Sequence, residues 1–235
     1  MCNNFFLLKL FSLFSLAVAA SASGEAANLT NVQFTSPPSS ISYSQQGFGV
    51  GWDIQKQSGT SMLEADFKCF FDELQMFFSE SSFESSLFKK NIDVYKLRLS
   101  AILCQARDIA FENTPVARQI SFCTRTFFEM AHAAHMIEHH DLMATEASSL
   151  LTYVVDLHIR LFALHDSYGN LNLNLMRPLE SINDFQQELN CWHDEFSRLS
   201  NVPLEIQLLF KDRVKKAERT MKVLLEQALQ NRQST

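Results

Sequence analysis

Residues 115–140 read PVARQISFCTRTFFEMAHAAHMIEHH. At the roughly 100° of rotation per residue of an α-helix, Ile120, Cys123, Phe127, Met130, Ala134 and Ile137 fall on one stripe. That is the pattern of a helix with one face in a core. Thr114-Pro115 supplies a start, because proline in the first turn gives up an N–H that has no partner anyway. His132, His135 and His139 fall on a separate stripe, more than about 90° away.

The same period continues on both sides of this segment, from Ser61 to near the C-terminus. Ser61 with Glu64, Ser81 with Glu84 and Ser181 with Asp184 resemble capping boxes, the last with Asp in place of Glu or Gln. Read together, these signals predict six helices at about 61–79, 82–113, 115–140, 143–166, 178–199 and 203–231. No run alternates with period two, and only six glycines serve 235 residues. The fold class is therefore all-α, a bundle of about six helices over residues 61–235. The 21 phenylalanines and 8 methionines read first as core filling and second as the lining of a cavity for an apolar ligand.

Upstream the character changes twice. Residues 10–20 form an apolar run after Lys9, and Ala17-Val18-Ala19 and Ala20-Ser21-Ala22 both fit a small-residue cleavage site, so residues 1–22 read as a signal peptide. The run is shorter than the roughly 20 apolar residues a spanning helix needs, and no membrane span is expected later in the chain. Residues 23–60, rich in Ser, Gln, Gly and Pro, read as a flexible, glycosylated segment, with Asn28-Leu29-Thr30 as the sequon. Loss of Lys9 with the signal makes the formal charge of −6 one unit more negative. Nucleic acid is therefore not an expected partner.

Cys2 leaves with the signal, and Cys69, Cys104, Cys123 and Cys191 remain for an oxidising compartment. Cys104 and Cys123 lie at nearly equal distances from the turn at Asn113-Thr114. They are expected to pair, leaving Cys69 with Cys191, because a Cys69–Cys104 bridge would leave a mismatch of roughly 18 Å along the helices. The expectation is a secreted, disulfide-stapled bundle.

Two sets of histidines carry the sharper readings. His135-Met136-Ile137-Glu138-His139 matches the inverted zinc-protease pattern, with His132 one turn earlier, and zinc is the one cofactor for which the sequence offers ligands. No third ligand is evident downstream, and the ordinary reading is a solvated helix flank. His158 and His165 instead fall on the apolar stripe of the fourth helix with Leu151, Val154, Leu161 and Phe162, where an imidazole must find a partner or lie at a cavity mouth. Glu129, at a similar level if the third and fourth helices form a hairpin, is the expected partner of His158.

Residues 211–222 hold six basic side chains against Asp212 and Glu218. Lys215, Lys216 and Arg219 are the centre of a stripe suited to an acidic partner, unless it merely faces the acidic first helix. No nucleophile elbow is present, so catalysis is the minority reading. In general form the chain resembles secreted helical bundles that act by binding, among them helical cytokines and small plant enzyme inhibitors. The leading expectation is an extracellular protein that binds another macromolecule through helix faces. A carrier of an apolar small molecule near His158 and His165 comes second, and a zinc-binding protein or hydrolase third.

Overall fold

The computed structural model describes residues 51–79, 81–107, 109, 114–173 and 178–233, with side chains left aside at 51–58, 178 and 179. The signal peptide, Asn28 and most of the 23–60 segment lie outside the described residues. The chain divides into two units, Met1–Ser58 and Gly59–Thr235, and the second is the one considered below.

Six α-helices are described: α1 (Gly51–Gln75), α2 (Ser85–Ala106), α3 (Thr114–Asp141), α4 (Glu146–Arg160), α5 (Pro178–Arg198) and α6 (Leu204–Gln233), with a 3-10 turn at Leu161–Leu164 after α4. Among the described residues the only bridges of strand type are two isolated ones, Phe78 with Phe83 and His165 with Leu171. The first helix begins at Gly51, ten residues before the expected capping residue Ser61.

α4 is the central element and packs against α3, α5 and α6. Leu151, Val154, Val155, Leu157 and Ile159 are all fully buried. Its apolarity is high enough that Glu146–Leu164 passes for a membrane span by length and composition, and 78% of that window is buried inside the bundle. The start lies at Thr145, whose Oγ1 accepts from Ser148 N at 3.2 Å, rather than at Met143. The end comes earlier than Asp166 because that carboxylate captures the backbone N–H groups of Tyr168 and Asn170, both at 2.9 Å. Gly169 completes this turn at φ +80°, and a Cβ there would stand 2.7 Å from Phe122 Cδ2. Only glycine fits both demands.

α1 is attached to α3 by aromatic rings. Phe67, Phe70 and Phe71 are at most 1% exposed; the Phe71 and Phe122 centroids lie 5.3 Å apart, and those of Phe70 and Phe127 6.3 Å. Tilted pairs of this kind add to the stabilisation from burial itself.

The expected disulfides are not formed: Cys69, Cys104, Cys123 and Cys191 are all free thiols. Cys123 lies on the core stripe, as its spacing predicts, but its Sγ donates toward the carbonyls of Phe67 (3.8 Å) and Ser167 (3.6 Å). Cys104 faces solvent. Equal distance from a turn places two residues at one level without turning their side chains toward each other, and here they point apart. Cys69 is engaged by Arg98 Nη2 at 3.5 Å and Cys191 by its own-helix neighbour Glu195 at 3.6 Å.

Candidate functional site: a basic cleft between α3 and α6

Polar side chains on α3 recur at Arg125, Glu129 and His132, a spacing that puts them on one face. That face looks toward α6. Glu129 Oε2 accepts from Arg213 Nη1 at 3.2 Å, and His132 Nδ1 accepts from Arg213 Nη2. Arg213 is only 2% exposed, so this cluster fixes α6 against α3 from inside.

Beside the cluster a cleft of about 300 Å³ opens. α3 contributes Arg125 and Glu129, α4 and the 3-10 turn contribute His158 and Phe162, and His165 follows the turn. The facing wall is α6, with Lys216, Arg219, Thr220 and Val223. A second, more open pocket of about 470 Å³, lined by Phe128, Ala131, His132 and Arg213, shares Arg125, Glu129 and Lys216 with it. His158, His165, Lys216 and Arg219, separated by up to 61 positions in the sequence, are thereby brought to one place.

The electrostatics of the cleft follow from what is paired. Glu129 is the one acid among its lining residues, and it is held by Arg213. Lys216 pairs with Asp212 at 2.9 Å, on an outer turn of the same helix. The Arg125 guanidinium sits over the rings of Phe122 (5.5 Å) and Phe162 (5.6 Å), a cation–π seat that leaves its N–H edge free. Neither Arg125 nor Arg219 has a carboxylate bonded to it among the described residues.

His158 and His165 are 4% and 3% exposed, and burial pushes each down to about 4. The neighbouring cation Arg125 adds to the effect at His165. Both rings are therefore neutral at pH 7. The expected Glu129–His158 juxtaposition is present in that both line the cleft and the Glu129 charge acts on the imidazole, yet the carboxylate's hydrogen bond goes to Arg213. No hydrogen bond of good geometry reaches His165 Nδ1, although the carbonyls of Leu161 and Phe162 act on the ring.

The α3 histidines are dispersed. His135 and His139 are exposed with rings stacked at 6.4 Å, Glu138 is bound to Lys89 on α2, and His132 is taken up by Arg213. Among the described residues no group of three or more His, Cys, Asp or Glu converges to hold a metal. Lys215 is exposed on the outer face of α6, away from the cleft lining.

Arg125 is not among the residues that sequence spacing singles out. Its signal was the Arg125, Glu129, His132 stripe on a helix otherwise given to core packing, but its seat needs Phe162, which arrives from another element.

No family model, curated protein or solved structure matches this chain.

Proposed function

We propose that the protein is secreted and acts without catalysis, by binding an acidic extracellular protein through the outer face of α6 and the rim of the adjoining cleft. The observation that carries this reading is the unpaired basic side chains of α6. Lys211, Lys215 and Arg219 succeed one another every fourth residue, are exposed, and have no acid bonded to them among the described residues. A monomer normally intersperses such charges with partners, and unbalanced ones steer and orient an oppositely charged ligand. Secretion is supported by the apolar run at residues 10–20 and the small residues after it.

A photo-crosslinker at position 215 of the secreted protein is expected to capture an acidic protein from the extracellular fluid of the source tissue. Capture should fall with added salt and be lost in Lys211→Glu/Lys215→Glu. Equal capture by a crosslinker at the exposed Leu97 of α2, or indifference to the double substitution, would sink the reading. Intact mass of the chain recovered from medium tests secretion directly, with an N-terminus at residue 20, 21 or 23 expected.

A further inference from the structure

The geometry points to a discrete oxyanion site in the cleft, which takes a small organic phosphate or sulfate monoester. Its anionic group lies between Arg125 and Arg219 beside Lys216, and its organic part lies on Phe162 and Val223. This rests on the reading of α6 as a recognition helix and adds to it a second, smaller ligand.

Four observations converge. Arg125 is held by ring stacking instead of by an acid, so its planar fork is oriented yet uncommitted, the state in which a guanidinium grips two oxygens of a tetrahedral anion. Arg219 approaches from the opposite wall, likewise with no acid bonded to it among the described residues, and Thr220 follows it. The single lining acid is neutralised by a buried arginine, so the net field in the cleft is positive. His165, 3% exposed, also lines the cleft, and its Nδ1 has no hydrogen bond of full geometry, the carbonyls of Leu161 and Phe162 being its nearest influences.

Size and lining select the class of anion. The cleft volume of about 300 Å³ is about that of the smallest organic ligand sites and far more than a bare oxyanion fills. Phe162 and Val223 are apolar and suit the organic part. Two forks reach three oxygens of a tetrahedral phosphate or sulfate ester where a carboxylate offers only two, and Lys216, itself paired with Asp212, adds charge only from the side.

Calorimetric titration of the mature protein tests this with phenyl phosphate, phenyl sulfate, inorganic phosphate, benzoate and benzyl alcohol. The two phenyl esters are expected to bind, and inorganic phosphate and benzoate to bind at least about tenfold more weakly. Arg125→Gln and Arg219→Gln should each weaken phenyl phosphate about tenfold or more while both variants stay folded by circular dichroism, and Arg125→Lys should not restore it. Absence of phenyl ester binding, equal binding of benzoate or benzyl alcohol, or indifference to both glutamine variants overturns the proposal. Lys211→Glu/Lys215→Glu, outside the cleft, should keep phenyl phosphate affinity. Loss of crosslinking there with retained ester binding separates the two sites, and crosslinking without ester binding refutes the cleft alone.

Discussion

Arg160 carries its charge into the bundle with 9% of its side chain exposed, and Asp156 at 2.8 Å and Glu188 at 3.0 Å hold it there. Asp156 also accepts from Phe83 N at 2.7 Å, tying the α1–α2 connection to α4. Even so, burial raises the Asp156 carboxyl above its ordinary range. Removing one partner of a buried pair leaves the other uncompensated, so Arg160→Ala is expected to lose about 3–5 kcal/mol in urea denaturation. Gly169→Ala is expected to cost more than about 1 kcal/mol, because the side chain meets both a positive φ and the Phe122 ring. The burial of His158 and His165 was legible from periodicity, since a stripe needs only local spacing. The seat of Arg125 was not, because it depends on Phe162 from another element.

At the scale of elements, six helices were legible and their ends were less so. The α3 stripe holds over most of its length: Ile120, Cys123, Phe127, Met130 and Ala134 are buried and His132, His135 and His139 exposed, while Ile137, expected on the same stripe, is only half-buried near the helix end. α4 was extended too far at both ends because apolar residues continue past the points where Thr145 and Asp166 divert the backbone. The cysteine pairing failed for a related reason, since level along two helices is a matter of counting and facing is a matter of rotation. Native-state alkylation is therefore expected to modify Cys69, Cys104 and Cys191 and to reach Cys123 only after unfolding. Mass loss corresponding to two disulfides would contradict the structure. The α1–α3 junction rests on rings: Phe71→Ala should cost about 3–5 kcal/mol, measured by the denaturant midpoint.

For the whole molecule, buried histidines make stability depend on pH; His140, 4% exposed and pushed down by burial, acts in the same direction as the two of the cleft, His158 and His165. An unfolded chain protonates those two near their ordinary value of about 6.5, whereas the folded protein holds them neutral down to about 4. As pH falls through that window the unfolded state binds protons first, and each histidine withdraws on the order of 3 kcal/mol of stability, with no further loss below about 4. The urea midpoint should thus drop steeply between pH 7 and pH 4.5, and His165→Phe should flatten the drop.

Asp156 and Arg160 also have a consequence during synthesis. α4 emerges before α5 and α6, the helices that cover it, and on the proposed secretory route the chain would expose Glu146–Leu164 to lipid while it waits in a translocon. Charged residues near the centre of such a segment oppose lateral entry by about 3 kcal/mol each. On that proposed route, the ion network that holds the finished core together would also keep the nascent core helix from being taken as a membrane anchor. Asp156→Leu/Arg160→Leu is expected to leave the chain membrane-retained, sedimenting with microsomes and resisting carbonate extraction.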